Sequence, residues 1–167
     1  MRKLDRKNGI RFSNQTFSDA NFDYVVYNDC VFHNCKFISI TWNNCQFKNT
    51  YFLGGSVLDN CIFEDCKFIG QHTNLGGPTR YFQCKFINVN FKNNQFWDTI
   101  FENCIFTGTA ENIVFYGPEA PEGWETKLIN VDMTGLSLEL VDFRCEIDLS
   151  TTKLKPAHNN GYNPSLS

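Results

Sequence analysis

Large apolar residues return at every fifth position along most of this chain. Phe12, Phe17, Phe22, Tyr27, Phe32, Phe37, Trp42, Phe47 and Phe52 form an unbroken run. One extra residue at Gly54 and Gly55 shifts the frame, which resumes at Leu58, Phe63 and Phe68. After a break it continues through Tyr81, Phe86, Phe91, Phe96, Phe101 and Phe106, and after a second break through Met133, Leu138 and Phe143. A period of five fits no straight element. On an α-helix, five residues overshoot a full turn by about 140°, so the rings would smear around the axis. On a strand, an odd period sends successive rings to opposite faces. The chain must therefore turn a corner in every unit. Four corners close a square coil of about twenty residues, and stacked coils make a solenoid in which each coil touches only its neighbours.

Two further positions support this reading. Two residues before each centre stands a small or β-branched side chain, as at Ala20, Val25, Cys30, Cys35, Cys45, Thr50, Cys61, Cys66, Cys84, Val89, Thr99 and Cys104. Two residues after it stands Asn, Asp or Gly in most units, as at Asn14, Asp19, Asp29, Asn34, Asn44, Asn60, Asp65, Asn88, Asn93, Asp98 and Asn103. These types tolerate tight turns and left-handed dihedrals. Each unit thus reads small-inside, polar, large-inside, polar, turn.

The chain of 167 residues fits one domain, and its 17 Phe must be hidden in an aromatic core. The expected core holds Phe12, Phe17, Phe22, Phe32, Phe37, Trp42, Phe47, Phe63, Phe68, Phe86, Phe91, Phe96, Phe101 and Phe106, with Cys30, Cys35, Cys45, Cys61, Cys66, Cys84 and Cys104. All eight Cys, Cys145 included, precede a large apolar residue by two, a packing position where a free thiol acts as a small hydrophobe. No two are close enough in sequence for a zinc knuckle, and no metal or cofactor is expected. The stacking arithmetic places Cys45 beside Cys66 and Cys84 beside Cys104. Met1 to Phe12 lacks an apolar run of signal-peptide length, and no stretch approaches a membrane span, so a cytoplasmic protein with reduced thiols is expected.

Ala20, Asn21 and Phe22 carry the motif small, Asp or Asn, Leu or Phe; Val89, Asn90 and Phe91, and Val131, Asp132 and Met133, are close to it. On these residues the chain resembles the pentapeptide-repeat family over about residues 10–148. The resemblance implies an all-β fold, a right-handed quadrilateral β-helix, here of about five coils with two inserted loops. The expected organisation is a basic lead-in over 1–11, the β-helix over 12–148 with loops at about 69–80 and 109–128, and a flexible tail over 149–167.

Gly and Pro mark the two breaks as loops. The first carries His72. The second carries Tyr116, Glu122, Trp124 and Glu125, and Trp is a frequent binding hot spot, though Trp124 could equally fold back as a lid on a coil. Net charge of −3 hides a division. Residues 1–11 sum to +4 and residues 12–97 to zero, whereas residues 98–148 hold eleven acids, among them Glu102 and Glu111, against Lys127 and Arg144. An acidic surface repels nucleic acid and attracts basic proteins, or simply keeps the rod soluble. The candidate contact residues are accordingly Trp124, Tyr116, Glu122, Glu125, His72, Glu102 and Glu111. His33, His72 and His158 are scattered, and no phosphate loop, nucleophile elbow or metal motif occurs, so no catalytic residue is assigned.

These features suit a non-catalytic protein-interaction scaffold. The resemblance implies an alternative. Quinolone-resistance members of the family mimic B-DNA and bind DNA gyrase or topoisomerase IV in its place. Those members dimerise through a C-terminal helical module, and no helix pattern follows Asp148, so the resemblance does not carry a dimer with it.

Overall fold

The computed structural model describes residues 4–69 and 75–155. Every regular element among them is a β-strand, and every strand pairing is parallel. The strands stack into four walls, each built from one five-residue unit per coil, as the period requires. The first wall aligns Phe12, Phe32 and Phe52, then Phe96, Phe115 and Phe143. The second aligns Phe17, Phe37, Leu58, Tyr81, Phe101 and Leu128, six rungs joined by five coil-to-coil steps. The third aligns Phe22, Trp42, Phe63, Phe86 and Phe106. The fourth begins at Lys7 and runs through Tyr27, Phe47, Phe68, Phe91, Ala110 and Leu138.

Inside, rings of one wall stack at nearly the rise of one coil. Phe32 lies 4.8 Å from Phe12 and 4.9 Å from Phe52, and Phe86 lies 4.9 Å from Phe63 and 4.5 Å from Phe106. Rings of adjacent walls meet edge to face across the corners, as Phe32 meets Phe37 at 78° and Phe101 meets Phe106 at 75°. Both arrangements suit the ring quadrupole. The expected core residues are buried from Tyr27 onward. Phe12, Phe17 and Phe22 are not fully buried; they form the first rung, with a coil on one side only.

The corners explain the turn residues. Asn14, Asp19, Asp29, Asn34, Asn44, Asn60, Asp65, Asn88, Asn93, Asp98 and Asn103 all adopt left-handed φ, between 48° and 58°. That geometry turns the main-chain N–H along the solenoid axis. Asn14, Asn34 and Asn103 each donate it to a carbonyl of the next coil, at His33, Leu53 and Ile129, at 2.9–3.0 Å. Asn and Asp bear left-handed φ at low cost. Their side chains add a second ladder outside, with Asn34 Nδ2 donating to Asn14 Oδ1 at 2.7 Å and Asn49 Nδ2 to Asp29 Oδ1 at 3.2 Å.

The small inward position does more than leave room. Its Cys, Ser or Thr donates to a main-chain carbonyl of the preceding coil: Cys45 to Phe22 at 3.1 Å, Thr50 to Tyr27 at 3.1 Å, Ser56 to Phe32 at 3.2 Å and Thr126 to Phe96 at 2.8 Å. The buried polar atom of each is thereby satisfied. Cys45 and Cys66 are neighbours in the stack, as are Cys84 and Cys104, which matches the stacking arithmetic. Cys61 joins Cys84 as well, a neighbour the arithmetic missed because the first insertion changes the step. The neighbouring thiols and burial push Cys66 and Cys84 well above the usual thiol range. Cys145 departs from the expected packing position. It sits half-buried at a corner with φ of 59°.

The second interruption is shorter than the sequence pattern implies. The strand Ile105–Tyr116 stays in the coil, with Ala110 and Phe115 on the fourth and first walls. The step from Phe106 to Ala110 is four residues, so the five-residue count loses the frame. Gly108 absorbs the deletion at φ of 115°, where an added Cβ would lie 2.1 Å from the Val89 carbonyl oxygen. The loop proper spans residues 117–126. Likewise the first break gives a residue back to the core, since Leu75 is buried and its carbonyl accepts a 2.8 Å bond from the Tyr81 hydroxyl. Residues 149–155, placed in the tail by the sequence, lie against the last coil. Leu149 and Leu154 pack on the core, and Lys153 exchanges main-chain bonds of 2.8 Å with Val131 and Met133.

Candidate interaction surface

The outer side of the first wall differs from the rest. At most outward positions stand polar residues, but here Trp97 and Tyr116 directly follow the buried rings Phe96 and Phe115 in successive coils. Trp124 reaches back over them from the 117–126 loop. Its ring centroid lies 5.8 Å from Trp97 and, edge to face, 5.3 Å from Tyr116. Trp124 remains 38% exposed. It therefore lies on the side wall and does not cover the open end of the solenoid.

The loop is held at both ends. Gly117 N donates to Arg144 O at 2.8 Å, and Glu119 N donates to Cys145 O at 3.2 Å. Thr126 N donates to Tyr116 O at 2.6 Å. Gly117 is required by approach, since an added Cβ would meet Cys145 O at 2.2 Å. A turn in which Trp124 N donates to Pro121 O at 2.9 Å sets the indole over the wall. The second insertion of the sequence adjoins this wall. It leaves the wall after Tyr116 and closes at Thr126.

Charge around the aromatic trio is acidic. Glu119 and Glu122 are exposed and form no ion pair among the described residues, while Glu125 pairs with Lys127 at 3.4 Å. Asp98 occupies the corner beside Trp97. Burial raises its carboxyl above the ordinary carboxylate range, against the pull of Arg80. Arg144, below Tyr116 on the same wall, is held by Asp142 at 2.6 Å.

Of the residues singled out in the sequence, Trp124, Tyr116, Glu122 and Glu125 thus belong to one region. Glu102 faces outward from the second wall, and Glu111, paired with Lys92 at 2.7 Å, from the fourth. His72 lies outside the described residues. Trp97 was missed. Its signal was present: a Trp one residue after a repeat centre occupies an outward position that is polar in most other units. Elsewhere an open groove of about 590 Å³ crosses the corner of the third and fourth walls beside Asn44, Asp65, Asn88 and Thr109. There Asn88 Nδ2 already donates to Asp65 Oδ1 at 2.6 Å. Among the described residues no three His, Cys, Asp or Glu side chains converge as a metal-binding group, and no helix is long and apolar enough to cross a membrane.

The fold defines the class: a parallel β-solenoid of five-residue units, the architecture of pentapeptide-repeat proteins. The solved structure of HetL, a pentapeptide-repeat protein involved in heterocyst differentiation regulation from the cyanobacterium Nostoc sp. strain PCC 7120, superposes with a TM-score of 0.57 over 82% of this chain at 9% identity. This chain spans 57% of that protein's length. A trypsin-treated form of QnrB1, a plasmid-mediated fluoroquinolone resistance protein, aligns over 83% of this chain and 91% of its own at 12% identity, with a TM-score of 0.28. No family model and no curated protein sequence matches the chain.

Proposed function

We infer that the protein is a non-catalytic interaction scaffold whose acidic second half, residues 98–148, attracts a basic protein partner. The observation that carries this reading is Trp124, an exposed indole seated on an outer wall beside Glu119 and Glu122, which form no ion pair among the described residues. Exposed acids steer a basic partner and speed association, and a large aromatic supplies the contact energy that screened charge does not. The nucleophilic side chains inside the coils support a non-catalytic role, because they are sealed from solvent and bonded to main-chain carbonyls.

Affinity capture from the native host at low and high salt tests this reading. The wild type is compared with a variant carrying Glu119→Gln, Glu122→Gln and Glu139→Gln. A basic prey retained at low salt and lost from the variant is expected. Identical capture by both proteins at both salts would refute the reading. A second reading, favoured by the excess of acids over bases in residues 98–148, makes the acidic coils a DNA mimic toward a type II topoisomerase. A gyrase supercoiling assay with and without a quinolone separates the two.

A further inference from the structure

The trio of Trp97, Tyr116 and Trp124 has a geometry that selects one kind of basic group. Its rings already touch one another, so they enclose no cavity for a buried ligand. They present an indole surface at the top of a wall, with Glu119 and Glu122 on the loop beside it. A flat cation can lie on such a surface and still reach a carboxylate at its edge. Guanidinium does both: it is planar, weakly hydrated, stacks on aromatic rings and offers N–H donors in its own plane. The compact ammonium of lysine is more strongly hydrated and does not stack in this way.

The backbone under the trio is fixed. Trp97 and Tyr116 stand on adjacent coils, and Trp124 is held by a loop bonded at Gly117, Glu119 and Thr126. Little ordering is left for binding to impose, which favours contact on this wall over contact at the dispersed acids of the other walls. The loop residues 117–126 contain three acids and no base, so the charge is complementary to the same ligand.

We propose that the trio of Trp97, Tyr116 and Trp124 is a docking platform for an arginine side chain of a basic partner protein, with Glu119 and Glu122 receiving its guanidinium edge. The proposal rests on the basic-partner reading given above and adds to it the site and the residue recognised.

The test uses the full chain and three synthetic peptides of equal length and spacing: an Arg-Ser repeat, a Lys-Ser repeat and a citrulline-Ser repeat. Trp42 is buried in the core, so quenching of tryptophan fluorescence by the peptides reports Trp97 and Trp124. The Arg peptide is expected to bind about threefold or more tighter than the Lys peptide, and the neutral citrulline peptide weakest. Trp124→Ala should weaken Arg-peptide binding about tenfold or more, read by calorimetry, and Trp124→Phe should recover most of it. Glu119→Gln with Glu122→Gln should weaken binding and flatten its salt dependence more than Glu102→Gln with Glu111→Gln does. If Trp124→Ala unfolds, Trp124→Phe and the paired Gln variants, which leave the wall intact, decide the matter. Equal, salt-sensitive binding of Arg and Lys peptides, unchanged by Trp124→Ala, would overturn the platform and leave the basic-partner reading standing. Absence of salt-sensitive binding to either peptide would overturn the platform, and together with a salt-insensitive capture would remove the basic-partner reading too. Self-association of the wild type that Trp124→Ala abolishes, seen by sedimentation, would assign the surface to a second copy of this chain and overturn the proposal.

Discussion

Truncating Phe86 to Ala isolates what an aromatic rung contributes. Phe86 is fully buried, stacked nearly parallel to Phe63 at 3° and to Phe106 at 2°, and meets Phe101 edge to face at 6.3 Å. Removing the ring forfeits about 2 kcal/mol of transfer free energy. A ring-sized void of roughly 100 Å³ that does not collapse adds about 2.4 kcal/mol at ~24 cal/mol per Å³. Collapse is hindered, because each neighbouring ring is tied to a main chain whose spacing is set by the ladder hydrogen bonds. The sum, about 4 kcal/mol, corresponds to a fall in melting temperature of roughly 8–16 °C for a domain of this size. Phe12→Ala is the internal comparison. Phe12 stacks on Phe32 from one side only and is partly exposed, so its loss should cost less than half as much, about 1–2 kcal/mol. Urea titration followed by far-UV circular dichroism, with thermal melts of the same proteins, measures both. Equal destabilisation by the two variants would refute the claim that sandwiching between coils, and not ring burial in general, sets the cost.

Three further outcomes are expected. Gly108→Ala should destabilise by about 2 kcal/mol or more, because a Cβ there meets the Val89 backbone and φ is 115°; a thermal melt within a degree of wild type would contradict the register assigned to residues 105–116. In the native protein a thiol reagent should label Cys145 first, since it alone of the eight is not buried, and the other seven only after denaturation; mass spectrometry of timed samples reads the order. Asp132 accepts bonds from the Thr134 hydroxyl and main-chain N–H, which hold its carboxyl below the usual range. A depressed carboxyl adds stability that is present above the unfolded-state value near pH 3.8 and lost as pH falls through the folded-state value. Asp132→Ala should therefore narrow the stability difference from wild type as pH drops from about 5 to 2, as followed by urea midpoints.

Much of this architecture was legible as a count. A five-residue period with one inward centre per unit admits only a chain that turns at each unit. The spacing of twenty residues between Phe12, Phe32 and Phe52 therefore names a ladder by itself. The Asn and Asp corners were equally readable, because few residue types adopt left-handed φ cheaply. Leu140 shows where that rule ends: it takes φ of 52° while 77% exposed, a strained corner that no residue preference announced.

The tertiary structure alone decided what happens where the count fails. The four-residue step from Phe106 to Ala110 hid a strand from the pattern, and only pairing with Lys85–Phe96 and Asp132–Arg144 returns residues 109–116 to the wall. The same holds for the interaction surface. Trp124 and Tyr116 stood out as loop aromatics, but Trp97 precedes them by roughly a coil and joins them because adjacent coils stack and the loop is pinned back over the wall. Local residue preferences fix where the chain turns. Which outward side chains become neighbours depends on the register between coils, a long-range quantity that every inserted or deleted residue resets.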